Sequence, residues 1–245
     1  MQKNTVMKRT ILLLTTMLFI GLIGYSQNND YPTETKTHIF WQPNRKLTTA
    51  DFQRDVKDAP KSSIEECDNY GYCVVGAYGL YHVIDVTKGK YKPGEYQEKL
   101  YIAPAFEKPQ SVIIKPDSLG LEIQQTLFDI DELCARTIRY KLDHYYERFN
   151  DSTIKANPDN PYTMWFNTVF DECEQYYGQM KWGYLKEVVI EKGDYEHWKN
   201  TVDTGLDYLK DYATTPEDCY RFVKNKPIEK KMVEAKYLAP SLYKK

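Results

Sequence analysis

Residues 121–136 read L-E-I-Q-Q-T-L-F-D-I-D-E-L-C-A-R and predict the central helix of this fold. The apolar residues recur every three or four positions, which is the spacing of one face of an α-helix. The pattern extends over residues 119–149, with Ser118 as a candidate N-cap. Its members are Ile123, Leu127, Ile130, Cys134, Ile138 and Tyr145. We expect this helix to pack through that face.

The segments before the helix are typical of β-strands. Residues 72–86 are rich in β-branched and aromatic side chains, and Gly76 and Gly79 within them indicate a bulge or close packing. Shorter strand-like segments occupy residues 38–41, 99–105 and 111–115, and Thr49 is a candidate cap for a helical turn. We therefore predict a small antiparallel or mixed sheet in the N-terminal half.

The segments after the helix are helical. Periodic apolar residues predict helices over 162–180 and 195–212, and Pro216 is expected to begin a short fourth helix. The fold class is thus α+β, with the sheet packed against a helical C-terminal half. We predict a single domain over 27–224, because no Gly/Ser-rich or Pro-rich linker interrupts it, and a weakly ordered C-terminal tail over 225–245.

The N-terminus has the three parts of an export signal. Lys3, Lys8 and Arg9 precede an apolar run over 11–23, and small residues precede Gln27. We predict a signal peptide over 1–26 and a protein exported to the periplasm or beyond. The run is shorter than the roughly 20 residues that span a bilayer, so no membrane span is expected after cleavage.

The charge of the chain disfavours nucleic acid as a partner. The formal net charge is -2, and cleavage would remove three basic residues and no acidic one. A mildly acidic protein without a basic block is poorly suited to bind nucleic acid. The partner class left open is an unknown protein, peptide or envelope ligand.

Five cysteines follow the predicted signal peptide, in a compartment where disulfides persist. Cys67 and Cys73 flank a turn-like segment and are candidates to close a short loop. Cys134 and Cys173 lie on two predicted helices and are candidates to join them. The alternative for each is a small buried apolar residue.

Several motifs together resemble a family of secreted bacterial proteins of unknown function that are classed as zinc proteases. The motif W-x-x-x-R-x-L-T-x-x-D-F falls on Trp41, Arg45, Leu47, Thr48, Asp51 and Phe52, and Phe106, Ser111 and Val112 follow a strand. The most specific part, F-D-I-x-E-x-x-A-R, falls on Phe128, Asp129, Ile130, Glu132, Ala135 and Arg136. The resemblance covers residues 41–142 and implies a zincin-like scaffold.

In that family, H-E-x-x-H precedes this frame, and it falls here on residues 123–127. Ile123 and Leu127 take the positions of the two histidines, and neither can bind a metal. Gln124 takes the position of the glutamate and cannot ionise. A weaker downstream likeness places Tyr177 where the family has a histidine that we infer to be a third ligand. We therefore predict no catalytic residue, no metal ligand and no cofactor.

Glu132 and Arg136 are retained from the family frame. They stand four residues apart on the predicted helix, and Glu132 projects about 180° away from Ile123. We expect an ion pair that stabilises the helix rather than a reassigned catalytic carboxylate.

The leading functional hypothesis is an exported, non-catalytic protein with a degenerate zinc-protease-like fold, acting as a binding or envelope-associated module. The alternative is a secreted, peptidase-like hydrolase with a zinc-independent or rebuilt site. This alternative predicts a cleft of converging polar residues with a perturbed carboxylate. A third reading is a structural secreted domain without a recognition face, and an exposed aromatic patch would distinguish it from the first.

Overall fold

A computed structural model of the chain describes residues 31–90, 95–144 and 161–240. The predicted signal peptide and the end of the predicted central helix, including Tyr145, lie outside these residues. These described residues form one compact unit by their contacts. No helix in the described ranges is both long and apolar enough to cross a membrane.

The main sheet has four antiparallel strands in the order β1-β4-β3-β6. They are β1 (His38–Phe40), β3 (Tyr78–Thr87), β4 (Glu98–Glu107) and β6 (Met232–Glu234). The long hairpin β3–β4 forms its centre, with Tyr81 opposite Ala103. Two short strands, β2 (Val74–Val75) and β5 (Val112–Ile113), pair in a separate small sheet.

Helices cover both faces of the main sheet. Five α-helices are described: α1 (Lys61–Tyr70), α2 (Ser118–Asp143), α3 (Pro161–Leu185), α4 (Tyr195–Tyr208) and α5 (Pro216–Lys224). Ile84 and Ile102 pack in the main hydrophobic cluster with α2 and α3. Phe40 and Ala103, on the other face, pack with Cys219 of α5. The α+β fold class is confirmed, and the sheet is antiparallel.

The central helix agrees closely with its periodic pattern, but its cap differs. Asp117, not Ser118, is the N-cap, and its carboxylate accepts a hydrogen bond from the Leu119 amide. The helix ends at Asp143, and its C-cap, His144, is the last residue of this described segment. The brief turn near Thr49 is a 3-10 helix (Thr49–Asp51) whose N-cap is Thr48.

Three elements lie outside the predicted pattern. Helix α1 was not predicted, because only Ser63 and Cys67 of its residues are buried. Helix α3 continues beyond residue 180 to Leu185 and then into a π-helical turn (Lys186–Ile190). The segment expected to be a weakly ordered tail contains strand β6, and the Ala235 amide donates to the Ile84 carbonyl.

The cysteines follow one of the two candidate pairings. Cys67 and Cys73 form a disulfide that joins the end of α1 to the start of β2. Cys134 and Cys173 are free and buried, so this second pairing is corrected. Both side chains pack in the main hydrophobic cluster, where a free cysteine behaves as a small apolar residue. Burial raises the pKa of the Cys134 thiol, which disfavours its nucleophilic form.

The Glu132–Arg136 pair is present and buried. Glu132 Oε1 accepts hydrogen bonds from Arg136 Nε (2.7 Å) and the Thr214 amide (2.9 Å). The Thr214 hydroxyl donates to Oε2 at 2.5 Å, and Arg136 also donates to the Leu206 carbonyl. The pair thus joins α2 to α4 and to the segment that leads into α5.

We expect Glu132→Ala to lower the free energy of unfolding by about 3–5 kcal/mol, because it leaves the Arg136 guanidinium buried without its carboxylate. Urea denaturation measures the change. The matched control is Lys199→Ala, which removes another i,i+4 pair, Lys199–Asp203, whose side chains are 44% and 48% exposed. That loss should be no more than about 0.5 kcal/mol. Equal effects of the two substitutions would contradict a structural role for the buried pair.

Candidate functional site

Gln124, at the position that the resemblance gives to a catalytic glutamate, is a buried amide with its hydrogen-bonding capacity filled. Its Oε1 accepts hydrogen bonds from the Gly76 amide (2.8 Å) and the Tyr78 hydroxyl (2.6 Å). Its Nε2 donates to the Tyr72 hydroxyl (2.8 Å) and the Val74 carbonyl (2.7 Å). A carboxamide has two donor hydrogens and two acceptor lone pairs, so these four bonds use all of them.

The two tyrosines around Gln124 are neutral hydrogen-bonding groups. Burial raises the pKa of Tyr72 to about 12, partly offset by its hydrogen bond with Gln124. Burial also raises the pKa of Tyr78 well above its ordinary value. Neither hydroxyl is poised to exchange a proton near neutral pH. Gln124 and its partners therefore join α2 to β2 and β3.

Ile123 and Leu127 lie in the main hydrophobic cluster. Only 6% and 4% of their surfaces are exposed. Apolar side chains packed in this way present no lone pair to a cation. Within the part of the chain that the structure describes, no group of three or more His, Cys, Asp or Glu side chains is placed to hold a metal ion.

Tyr177 is not brought together with these positions. Its hydroxyl lies 2.7 Å from the Thr137 hydroxyl, ten residues beyond Leu127 on α2. Ten helical residues span about 15 Å. The structure thus places Tyr177 further along α2 than Leu127, because α3 runs antiparallel to α2.

Residues of the two motifs quoted for the resemblance contact one another. Trp41 Nε1 donates to Asp129 Oδ1 at 2.7 Å, and Gln125 Nε2 donates to the same oxygen at 2.8 Å. Gln125 Oε1 in turn accepts from the Leu47 amide. The Arg136 guanidinium lies 5.2 Å from the centre of the Trp41 ring. These contacts hold the segment after β1, residues 41–47, against the central helix.

The remainder of the first motif also has a structural use. Arg45 Nη2 donates to Asp51 Oδ1 at 2.6 Å, and Arg45 also pairs with Glu34. The pKa of Asp51 is lowered on balance: burial raises it, but hydrogen bonds from Arg45 and Thr48 outweigh that effect. Phe52 packs against Phe106 with ring centres 5.1 Å apart. Every part of this motif is accounted for by packing or hydrogen bonding.

The four histidines lie in separate elements. His38 in β1 is bonded to the Tyr81 hydroxyl, and His82 in β3 packs on the rings of Phe166 and Phe170. Burial lowers the pKa of His82. His144 follows α2 and His197 lies in the first turn of α4.

Two polar cavities lie against the helices. One, of about 300 Å³, borders Trp41, Asp129 and Arg136. The other, of about 320 Å³, borders Arg139, whose guanidinium donates to the carbonyls of Tyr212 and Ile102. Among the described residues, burial raises the pKa of two carboxyl groups, Asp131 and Glu132, and neither lines these cavities. The perturbed carboxylate expected of a rebuilt hydrolase site is therefore not found in these cavities.

A third cavity, of about 210 Å³, is mainly apolar and opens between α1 and the end of α3. We call it the aromatic cleft. Its lining residues are Glu66, Tyr70, Tyr72, Trp182, Leu185, Lys186, Val189 and Ile190. Trp182 is 67% exposed, Ile190 52% and Tyr70 44%. A cluster of exposed apolar side chains of this kind is a feature of binding surfaces.

The cleft was not predicted from the sequence. One wall of the cleft lies beyond the predicted end of the second helix at residue 180. The sequence W-G-Y-L-K-E-V-V-I over 182–190 contained a signal, since its apolar residues continue the helical pattern. Gly183, Lys186 and Glu187 interrupt the apolar pattern within this segment.

No protein-family model, curated protein or solved structure matches this chain.

We expect Gln124→Glu to lower the free energy of unfolding by about 2–4 kcal/mol. The substitution removes both donors and places a carboxylate against the buried Val74 carbonyl. Chemical denaturation measures the loss. Glu122→Gln, an exposed change between the same two residue types on the same helix, should alter stability by no more than about 0.5 kcal/mol. A Gln124→Glu protein as stable as the parent would show that the hydrogen bonds of this amide do not stabilise the fold.

Proposed function

We propose that this chain is an exported, non-catalytic binding protein on a scaffold like that of zinc proteases. The observation that carries the proposal is the state of Gln124. At the position of the presumed general base stands an amide that cannot ionise and whose four hydrogen bonds are made within the protein. A general base needs a free, ionisable group within reach of the proton that it removes.

The surroundings of the former ligand positions support the same conclusion. Ile123 and Leu127 contribute to the core, so restoring imidazoles there would require cation-binding groups inside a packed apolar cluster. The frame residues that remain make contacts between elements. Selection for a stable scaffold would retain such residues after the metal site was lost.

The proposal of export has two supports. The sequence of residues 1–26 has the charged, apolar and small-residue parts of a cleavable signal. The Cys67–Cys73 disulfide is of a kind that persists in oxidising compartments outside the cytosol. We therefore place the protein in the periplasm or outside the cell.

Binding is supported by the exposed apolar side chains of the aromatic cleft. Trp182, Tyr70 and Ile190 expose apolar surface beside a formed cavity. We propose that a protein, peptide or envelope component covers this surface when the protein acts.

The thermal unfolding of the full exported chain tests the loss of the metal site. We expect Tm to be the same, within about 1 °C, in zinc and in a chelator, since a ligand stabilises only a state that binds it. Elemental analysis should give far less than one zinc per chain. A quenched fluorescent peptide library should stay uncleaved with or without added zinc.

One bound zinc per chain, together with chelator-sensitive cleavage, would overturn the proposal. A parallel preparation of an established zinc peptidase, carried through the same buffers, shows that the procedure retains zinc. Cleavage that is insensitive to chelators would favour the rebuilt hydrolase.

Export has its own test. Mass spectrometry of the chain recovered from the cell envelope or medium should give a mature N-terminus at Gln27. An N-terminus at Met1 in recovered protein would contradict the assignment of a cleaved signal.

A further inference from the structure

We propose that the aromatic cleft binds a polypeptide segment that inserts an apolar side chain and carries a neighbouring basic residue. The inference rests on the proposed function of a binding protein and names the site and the chemical class of its partner. It is carried by the construction of the cleft walls, by their chemistry and by one acidic group that the described residues leave uncompensated.

Both walls of the cleft are fixed by local constraints. Tyr70 and Tyr72 lie within the loop that the Cys67–Cys73 disulfide closes. The opposite wall is formed by the π-helical turn (Lys186–Ile190) that ends α3. Such turns are uncommon and occur frequently at functional sites. A cleft held open by its own scaffold loses little conformational entropy when a partner binds.

A cross-link by Lys192 joins the two walls. Its ammonium donates to the Tyr70 carbonyl at 2.6 Å, where α1 ends and leaves carbonyl groups without helical partners. Lys192 has a φ of 56°, in the left-handed region that residues other than glycine rarely adopt. The hydrogen bond therefore restrains the distance between the end of α1 and the segment that follows the π-helical turn.

The size and lining of the cleft favour a side chain over a free small molecule. Its volume of about 210 Å³ lies below the 300–1,000 Å³ of usual small-molecule sites. The aromatic rings and Val189 supply apolar surface, with Glu66 and Lys186 as the charged groups of the lining. A sugar would leave most of its hydroxyl groups without partners in such a site. An aromatic or branched apolar side chain has no such cost, and Trp and Tyr are the usual contacts for one.

The charged groups beside the cleft indicate which polypeptide segments would bind there. Lys186 is paired with Glu191, and the Lys192 ammonium is held at the carbonyl end of α1. Glu66 is exposed and forms no ion pair among the described residues. A basic residue beside the inserted side chain would pair with Glu66, and an arginine could also stack on the exposed Trp182 ring.

Peptide binding to the full exported chain tests the proposal. The probe is a capped hexapeptide, Gly-Arg-Leu-Phe-Arg-Gly, titrated while the indole resonance of Trp182 is followed by NMR. Two matched probes are Gly-Glu-Leu-Phe-Glu-Gly, with reversed charge, and Gly-Arg-Ser-Ser-Arg-Gly, without the apolar residues. We expect the first probe to bind at least about tenfold more tightly than either of the others.

Variants locate the binding, and their affinities are measured by titration calorimetry because Trp182→Ala removes the indole signal. Trp182→Ala should weaken it at least about tenfold, because an aromatic anchor dominates an interface of this size. Tyr176→Ala, which removes a 64% exposed ring from the same helix outside the cleft, is the matched control and should leave affinity unchanged. Glu66→Gln should weaken binding of the arginine probe by roughly threefold and reduce its dependence on salt.

Several results would overturn the inference. They are no binding of the first probe up to about 1 mM, equal binding of all three probes, or equal effects of Trp182→Ala and Tyr176→Ala. Binding of chitotetraose at Trp182 without peptide binding would make the site a sugar platform, and self-association lost in Trp182→Ala would make it a contact between copies. Each of these leaves the zinc measurements untouched, so failure of the cleft is distinguishable from failure of the proposed function.

Discussion

The central helix α2 is buried around most of its circumference, and its polar side chains must therefore find partners inside the protein. Gln124, Asp129 and Glu132 each reach a different neighbour: strand β2 and the start of β3, the segment after β1, and the turn before α5. A buried polar group without a partner costs more than its hydrogen bond contributes when made. Each of these three hydrogen-bonded side chains therefore fixes the position of one neighbouring segment against α2.

This constraint distinguishes two reasons for which a sequence motif can be present, namely catalysis and structural support. The frame F-D-I-x-E-x-x-A-R resembles part of a metalloenzyme signature, but in this structure Asp129, Glu132 and Arg136 all bind protein groups. Such residues maintain a scaffold whether or not chemistry takes place on it. The resemblance thus supports a proposal about ancestry more strongly than one about activity. A zinc hydrolase of that kind would need metal ligands and a general base at residues 123–127, where this chain has Ile123, Gln124 and Leu127.

The parts of the fold that follow a strong local pattern could be predicted from the sequence. The helix over Ser118–Asp143 has a clear apolar periodicity, and the first strand of the hairpin is rich in β-branched and aromatic residues. Glu132 and Arg136 are close in sequence as well as in space. Contacts that depend on distant segments could not be predicted in this way. Nothing local to Gln124 indicates that Gly76 and Tyr72 will surround it, and the position of Tyr177 depends on how α3 lies against α2. Helix α1 was missed because its stability comes from a disulfide and a few buried side chains rather than from an apolar face.

Strand β6 has a practical meaning for handling this protein. It covers β3 only from Asp85 to Thr87, and Arg221 of the neighbouring helix reaches both Asp85 and Glu234. The lysine-rich composition after residue 225 makes this a natural place to truncate the chain. Truncation there would expose backbone N–H and C=O groups of β3 and remove the Glu234 carboxylate from its contact with Arg221. Exposed margins recruit other chains into insoluble assemblies. Shortened versions should therefore retain Met232–Glu234, and any that do not should be examined for precipitation before a loss of binding is interpreted.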